Sequence, residues 1–476
     1  MAPPSDDHDC GWKQHAEGLS AKLDAVLSEL QTLKRQVHGK KSERSKSSKM
    51  PAPVVEAKTP EQTTNTRAAA RQQRLAAMET VITPVAVPPA RCICPKCGST
   101  DLKVVGEGKT SVVIEHVAAH FRRHAFQRET RACSCGEYIV TAPAPDRVGE
   151  GTRYAPSFVA HLVVSKCADA GAQHRLEKAY ARCGVPIPRS TMNDLFHRAA
   201  DELRPLWQRM RARVAKASHV CADETSIVLQ GQQSKAFVWT FVSGEMIVYE
   251  FASSRSGETA VKVLGNSTGS LQCDAYTGYN QVTKPGRRTR AGCFAHVRRK
   301  FYEAREVPEA AKAVELIRAL YVVEHEAKAA GIVGTPDHLA LRNEKSRDTY
   351  IELLLLARGI RRANAPRTKM AKAARYLLSN IFELGRFLRD PMVALDNNKA
   401  EASLRRVALG RKNFLFVGSE QAGKNLAVLY SLVATCEMHK VNPLDYLADV
   451  LARIDKHPHT AIDELLPDRW KPPEGA

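Results

Sequence analysis

Three acidic residues stand at positions where their carboxylates could share divalent cations. Asp223 lies in the apolar run VCADET, Asp274 ends the run SLQCD, and Glu401 follows an Asn-rich segment. Mg²⁺ is a hard ion that prefers oxygen ligands. Two such ions about 3.5–4 Å apart can activate an attacking oxygen and stabilise a leaving one. Taken singly, each acid would be interpreted as a surface residue or a helix cap, so the hypothesis depends on the elements that carry the three.

Four cysteines have spacing suited to a second metal. Cys94 and Cys97 have two residues between them, and Cys133 and Cys135 have one. Four thiolates are the number that a tetrahedral structural zinc takes. Cys92 is a substitute ligand, and a set of unligated buried cysteines is the alternative. Clustering of this kind favours a metal site in a reducing compartment over a disulfide framework.

Cys293 and His296 form a Cys-x-x-His element that follows a predicted strand and precedes a basic helix. As a zinc half-site the element lacks two partners. A supporting or structural role beside the acidic centre is therefore favoured over direct catalysis by His296.

The third acid lies in a predicted helix over 396–412 that begins at the cap Asp396. Asn397, Glu401 and Arg405 are spaced four apart, so they are expected to share one face of that helix. A basic residue on the same face as a metal ligand suits a surface that meets DNA.

The elements that would position the first two acids are predicted over 217–296. Three short strand-like runs are followed by a helix and a fourth strand, which gives the order β-β-β-α-β. In a ribonuclease-H-like sheet, that order places strands one and four side by side. Asp223 in the first strand and Asp274 at the end of the fourth would then project from neighbouring strands. Residues 297–390 are almost entirely helical in pattern.

The upstream part of the chain divides into four segments. Residues 12–38 carry a heptad seam whose apolar positions are spaced 4, 3, 4, 3, 4, namely Leu19, Leu23, Val26, Leu30, Leu33 and Val37. The seam predicts a short self-associating coiled coil, and one amphipathic helix is the alternative. Residues 39–90 are predicted to be a disordered basic and Pro-rich linker. Residues 91–145 hold the cysteines, and 154–215 look helical, with a helix-turn-helix candidate that turns at Cys183-Gly184 and restarts with Ser190 as N-cap.

The composition favours a polyanionic partner. The 71 Lys and Arg residues exceed the 51 Asp and Glu residues, which gives a formal charge of +20 and a pI near 9.5. Nucleic acid is the default partner for such a chain. No apolar run reaches the roughly 20 residues of a membrane helix, and the polar start MAPPSDDHDC does not resemble a secretory signal. We therefore expect a cytoplasmic, nucleoid-associated protein without a membrane partner.

Long motifs in a fixed order make the chain similar to the insertion sequence 66 family of transposases, the large catalytic subunit. The motifs are His38-Gly-Lys-Lys-Ser-Glu, Cys94-Pro-Lys-Cys-Gly, Cys133-Ser-Cys-Gly, Arg189-Ser-Thr, Ala222-Asp-Glu-Thr, Ser253-Ser-Arg-Ser-Gly-Glu, Leu271-Gln-Cys-Asp-Ala-Tyr-Thr-Gly-Tyr-Asn, Cys293-Phe-Ala-His-Val-Arg-Arg-Lys-Phe, Asp396-Asn-Asn and Val407-Ala-Leu-Gly-Arg-Lys-Asn-Phe-Leu-Phe-Val-Gly-Ser. The resemblance covers nearly the whole chain. The chain departs from the family pattern at Cys221, Ala402 and Arg406, and none of these departures removes a metal ligand.

The resemblance implies a DDE transposase with Asp223, Asp274 and Glu401 as catalytic residues and magnesium ligands. Two Mg²⁺ ions, with Mn²⁺ as a substitute, and a structural Zn²⁺ on Cys94, Cys97, Cys133 and Cys135 are the implied cofactors. The implied fold is a multidomain α/β protein. Its expected parts are a coiled coil (12–38), a linker (39–90), a zinc-binding module (91–145), a helix-turn-helix region (154–215), the first part of a ribonuclease-H-like core (216–296), a helical insertion (297–390), the catalytic Glu helix with the end of the core (391–417) and a C-terminal helical element (418–470).

The implied reaction is metal-dependent cleavage at the ends of an insertion element, followed by strand transfer into target DNA. The partners are terminal inverted repeats, target DNA, a second copy of the chain and small accessory proteins. The residues expected to contact DNA are Arg189, Arg298, Arg299, Lys300, Arg405, Arg411 and Lys412. Cys293, His296 and Asn397 are expected to support the acidic centre. A catalytically inactive DNA-binding protein and a nuclease that cuts without joining remain the alternatives.

Overall fold

The computed structural model describes Phe121, 130–132, 139–141, Val148, Thr152, 154–231 and 235–472. The predicted coiled coil, the linker and the four candidate zinc cysteines lie outside the described residues. Within the cysteine-bearing segment, β1 (Thr130–Ala132) pairs antiparallel with β2 (Ile139–Thr141). None of the described helices is both long and apolar enough to cross a membrane.

A group of helices precedes the main sheet. They are α1 (Pro156–Cys167), α2 (Gln173–Arg182), α3 (Arg189–Glu202) and α4 (Arg204–Lys216). The predicted turn after α2 is present, with Gly184 at a φ of +76°. The prediction that Ser190 caps the next helix is wrong, because α3 begins at Arg189 after Pro188. Glu177 of α2 takes the capping role instead, since its carboxylate accepts from the Arg189 backbone N–H at 3.1 Å.

The central sheet is mixed. Its strands are β3 (His219–Leu229), β4 (Ala236–Val242), β5 (Ile247–Ala252), β6 (Ser270–Gln272) and β7 (Thr289–Ala291), with α5 (Glu258–Leu264) between β5 and β6. The spatial order is β5-β4-β3-β6-β7. The pairings β3–β4 and β4–β5 are antiparallel, and β3–β6 and β6–β7 are parallel. Strands one and four of the predicted unit are therefore neighbours. β7, which lies just before the Cys-x-x-His element where a strand was expected, adds an edge beyond the predicted β-β-β-α-β order.

A helical layer with a hydrophobic core of its own follows β7. Its helices are α6 (Phe294–Tyr302), α7 (Pro308–Ala329), α8 (Pro336–Lys345), α9 (Arg347–Ala363), α10 (Lys369–Ser379) and α11 (Ile381–Leu384). Phe294, Tyr350 and Phe387 meet edge to face in this core, with ring centroids 5.7–6.0 Å apart. The predicted helical character of 297–390 is thus observed.

The chain then returns to the sheet. The returning elements are α12 (Asn398–Ser403), α13 (Arg405–Phe414), β8 (Phe416–Val417), α14 (Glu420–Met438) and α15 (Pro443–Arg453). The predicted single helix over 396–412 is wrong, because it is divided at Leu404 and starts after Asn397 rather than at Asp396. The hydroxyl of Thr240 on β4 lies 2.9 Å from that of Ser403, which fixes the end of α12 against the sheet.

Helix α14 covers the open edge of β5. The Ser431 hydroxyl accepts from the Tyr249 N–H at 2.8 Å, and the Thr435 hydroxyl accepts from the Ile247 N–H at 3.1 Å. These side chains satisfy backbone groups that an edge strand otherwise leaves unpaired. Gly423 permits the close approach, because an added Cβ would lie 2.4 Å from the Phe251 ring.

Candidate active site

Asp223 lies on the central strand β3 and is partly buried. Its Oδ1 accepts from the Glu224 backbone N–H at 2.9 Å, which fixes the carboxylate. Burial raises the pKa of Asp223 to about 7, against the lowering effect of that hydrogen bond. The charges of Glu224, Glu401 and Asp274 raise the pKa of Asp223 further. The structure therefore brings the three predicted carboxylates into one electrostatic neighbourhood.

Asp274 follows the end of β6 and begins a structured loop. Its Oδ1 accepts from the Tyr276 backbone N–H at 2.9 Å. From β7, the Arg290 guanidinium donates to the carbonyls of Asp274 and Tyr276, the latter at 2.7 Å. The edge strand β7 thus holds the loop that carries the second acid.

After the helical layer, hydrogen bonds from two side chains attach the chain to the sheet again. Gln272 of β6 donates to the Ala394 carbonyl at 2.6 Å and accepts from the Ala394 N–H at 3.2 Å. Asn397 donates its side-chain N–H to the Ala222 carbonyl at 2.7 Å. The Asn397 backbone N–H also points at the Cys293 sulfur, 3.3 Å away. Asn397 was predicted to support the site, whereas Gln272 was missed because its partner is 122 positions away.

Glu401 sits on α12, one residue after a buried alanine. Ala400 packs between Cys221 and Val242 of the sheet, which places α12 on β3 and β4. The Glu401 side chain is 29% exposed, and its Oε1 lies 3.8 Å from His296 Nδ1. Neither of these two buried atoms has a hydrogen-bond partner among the described residues. Unsatisfied polar atoms of this kind indicate a missing partner.

Cys293, His296 and Glu401 form a cluster in which one ligand atom from each lies within 4.8 Å of the others. Burial raises the pKa of the Cys293 thiol to about 11. The thiol therefore stays protonated near neutral pH and accepts the Asn397 N–H. The Cys-x-x-His element thus lies next to Glu401 and, through Cys293, contacts the segment that returns to the sheet.

An ion pair between a buried carboxylate, Glu224, and the half-exposed Arg255 lies next to Asp223 and was not identified from the sequence. The Glu224 side chain is 1% exposed. It accepts from Arg255 Nε at 2.8 Å and from the Tyr279 hydroxyl at 2.6 Å. Arg255 stacks over the Tyr276 ring at 4.0 Å, and the charge of Asp274 helps to raise the pKa of Arg255. These residues belong to three of the motifs quoted above. The presence of all three motifs in one sequence was the signal that could have identified this ion pair.

The residues predicted to contact DNA differ in their exposure and in the groups they contact. Arg299, Lys300, Arg405 and Lys412 are exposed. Arg189 is exposed and pairs with Glu177 at 3.0 Å. Arg298 lies over the Tyr302 ring at 5.3 Å. Arg411 is directed at β3, where it bonds Ser226, so it also attaches α13 to the sheet.

Comparison with known proteins assigns the chain to a family. Residues 151–425 match the family model described as Transposase IS66 family, and residues 431–467 match the IS66 C-terminal element. Residues 91–136 match the zinc-finger binding domain of transposase IS66, which supports a structural zinc in the cysteine module.

Two similar proteins of Sinorhizobium fredii are named only as uncharacterized. The chain is 30% identical to y4hP over 414 residues, which cover 81% of this chain and 74% of the relative. It is 29% identical to y4jD over 499 aligned residues, which cover 96% and 97% of the two chains. Because the first family model spans more than half of the sequence, the predicted resemblance is confirmed, and the chain belongs to the IS66 family of transposases.

Proposed function

We propose that this protein is a DDE-type DNA transposase. It cleaves a phosphodiester at each end of an insertion element and joins the freed 3′-hydroxyl to target DNA. The observation that carries the proposal is the return of α12 to the sheet, which sets Glu401 where its charge acts on Asp223 together with that of Asp274. Family membership supports the role in transposition.

The core is proposed to be ribonuclease-H-like. Counted from β3, the strand order is 3-2-1-4-5, with the second strand antiparallel to the others. The first acid lies on the central strand, and the second follows the adjacent parallel one. This arrangement supports the assignment, because side chains at the same end of neighbouring parallel strands meet at one place.

The acidic centre fits Mg²⁺ or Mn²⁺. Asp223, Asp274 and Glu401 supply oxygen ligands, which hard cations prefer. The Glu401 Oε1 has no hydrogen-bond partner in the described part of the chain, and burial with neighbouring acids raises the Asp223 pKa to about 7. Both features are unfavourable without a cation. When bound, such ions neutralise charge on the attacking and leaving oxygens of a phosphodiester.

The neighbouring residues orient these ligands. The Glu224 backbone N–H holds Asp223, the Tyr276 backbone N–H holds Asp274, and Asn397 holds the start of the helix that carries Glu401. Preorganised ligands reduce the reorganisation needed when DNA arrives. Arg255 adds a half-exposed positive charge beside the acids, where a phosphate of the substrate would come.

Upstream parts are proposed to serve DNA binding and assembly. The helices α2 and α3 would form the helix-turn-helix, residues 12–38 would associate copies of the chain, and small accessory proteins would join the complex. Cys94, Cys97, Cys133 and Cys135 would hold one zinc. The Cys94→Ser protein should lose most of its zinc by metal analysis, whereas Cys183→Ser, at an exposed cysteine, should keep it.

The test is a cleavage-and-joining assay with full-length protein. It uses DNA ends that flank the gene, Mg²⁺ or Mn²⁺, and any accessory proteins of the element. Wild type should produce 3′ cleavage and joined products, and Asp274→Asn should produce neither. Binding of the ends without cleavage by wild type would favour an inactive DNA-binding protein. Cleavage without joined products would indicate a nuclease, and cleavage unaffected by Asp274→Asn would refute the site assignment.

A further inference from the structure

A groove runs beside the edge strand β7, outside the acidic centre. Its two sections have volumes of about 480 and 520 Å³. Both sections include Arg287, Thr289 and Arg386, so they form one continuous feature. One wall is β7 with the turn before it, and another is the single-turn helix Gly385–Leu388 with the residues next to it. The second section is also lined by Ser218 and by Thr268–Ser270, at the starts of β3 and β6.

Positive charge dominates the lining of the groove. The ionisable side chains at its surface are Lys284, Arg287, Arg290, Arg386 and Arg389, with Glu383 and Asp390 as the acids. Lys284 and Arg389 are exposed and stand in different sections. An excess of one sign along a cleft concentrates the field there and attracts an oppositely charged polymer.

A buried arginine adds to this field from behind. Arg288 is 1% exposed, and its guanidinium donates to the Ser267 hydroxyl and to the carbonyls of Ser270, Ala215 and Ala217. All of these acceptors are neutral oxygens. The charge of Arg288 is therefore held by dipoles rather than by a carboxylate, so none of its bonded partners carries a negative charge that would offset its contribution to the groove.

Arg386 supplies an unused donor at the junction of the two sections. Its Nε is buried and has no hydrogen-bond partner among the described residues. A buried N–H without an acceptor is unfavourable. An oxygen brought by a ligand into the groove would satisfy it.

We propose that this groove binds the phosphate backbone of double-stranded DNA, as a contact surface separate from the carboxylates. The inference rests on the proposed function, which supplies DNA as the substrate. A linear polyanion fits two continuous basic sections better than a single free phosphate does. Asn280, Thr283 and Thr289 add neutral groups of the kind that contact phosphate oxygens. Arg290 lines the groove and also bonds the carbonyl of Asp274, so DNA held here lies next to the loop of the second acid.

The test measures DNA binding by the full-length protein without divalent ions, so that no cleavage occurs. The groove variant is Lys284→Glu with Arg389→Glu. The control is Arg318→Glu with Lys328→Glu, two exposed residues of α7 that change the net charge equally. Each phosphate contact contributes about 0.9 to the slope of log affinity against log salt concentration. We expect the groove variant to lose about two units of slope and the control to lose less than half a unit.

The outcomes separate this inference from the proposed function. Equal slopes for the groove and control variants would overturn the groove while leaving cleavage untouched. Wild type that binds with the full slope but never cuts would overturn the transposase chemistry and leave the groove in place. A further arm replaces chloride by inorganic phosphate at matched ionic strength. If phosphate alone abolishes the difference between the two variants, the groove is a site for the free anion and the proposal is overturned.

Discussion

The side-chain amide of Asn397 donates to the main-chain carbonyl of Ala222 at 2.7 Å, across 175 positions of the chain. Ala222 immediately precedes Asp223, and Asn397 is the cap of the helix that carries Glu401. This hydrogen bond thus joins the strand segment next to Asp223 to the start of the helix that carries Glu401.

Replacement of Asn397 by alanine should uncouple the two acids. Asn397 is 1% exposed, so the Ala222 carbonyl loses its donor in a buried position, at a cost of about 1–3 kcal/mol in unfolding free energy. Cleavage should fall by roughly 10–100-fold in protein that is still folded, as for other residues that orient metal ligands. Urea titration and the cleavage assay measure the two effects.

The adjacent Asn398 provides the control, because it is exposed and caps nothing with its side chain. Asn398→Ala should change stability by no more than about 0.5 kcal/mol and leave cleavage intact. Equal cleavage by both variants would show that the Asn397 bridge does not position the site.

The sequence predicted the strands near the acids because their apolar runs are long and rich in β-branched residues. The predicted β-β-β-α-β order did not include β7, since Thr289–Ala291 is three residues long and follows a basic turn, and a strand was expected there only as the element before Cys293. The sequence also did not indicate that the 396–412 helix is divided at Leu404, because no proline or glycine lies at that point. Contacts of Ser403 with Thr240 and Tyr249 hold that end of α12, and such contacts appear only in three dimensions.

The supporting residues of the site show the same limit. The sequence indicated that Asn397 lies near Glu401, because both belong to one short segment. The sequence did not indicate the roles of Gln272 and Glu224, since their partners lie on elements that meet only when the sheet forms. The motif containing Glu224 was recognised, yet its chemistry depends on Arg255 and Tyr279.

Tyr279→Phe should cost more stability than an equivalent change elsewhere in the core. The Tyr279 hydroxyl donates to the buried carboxylate of Glu224 at 2.6 Å, and hydrogen bonds to charged groups contribute about 1.5–3 kcal/mol. Tyr446 is equally buried, and its hydroxyl donates to the neutral Leu465 carbonyl at 2.7 Å. Tyr446→Phe should therefore cost only about 0.5–1.5 kcal/mol. Denaturant unfolding of both variants tests the difference, and equal losses would contradict a stronger hydrogen bond from Tyr279 to Glu224 than from Tyr446 to Leu465.

Two ion pairs that join the same helices should differ sharply in strength. Arg342 of α8 is 1% exposed and donates from Nε and Nη2 to the Glu324 carboxylate of α7, at 2.7 and 2.6 Å. Arg342→Met removes both of these bonds and leaves the His338 ring, 3.3 Å away, beside the Glu324 carboxylate, so it should cost about 3 kcal/mol. Lys345 pairs with Glu326 between the same helices but is 43% exposed, so Lys345→Met should cost less than about 1 kcal/mol. Comparable unfolding midpoints for the two variants would refute the difference that burial predicts.

His219 at the start of β3 should make the folded protein sensitive to mild acid. Burial lowers the pKa of His219 from 6.5 to about 4, and the ring lies 2.9 Å from the Ser270 hydroxyl. Below pH 6.5 the unfolded chain gains a proton that the folded protein does not take up until near pH 4. The contribution to stability is therefore complete above pH 6.5 and is lost as the pH falls, by about 1.5 kcal/mol between pH 6.5 and 5.

The variant His219→Gln should lose this part of the pH dependence, while His459→Gln, at an exposed histidine, should keep it. Urea midpoints of wild type and both variants at half-unit steps of pH would show the contrast. Asp223, whose pKa is raised to about 7, also titrates near this window, but it is common to all three proteins and cancels in the comparison. If His219→Gln follows the same curve as wild type from pH 6.5 to 5, the ring is not held neutral by burial, and the packing at the start of β3 is looser than the structure indicates.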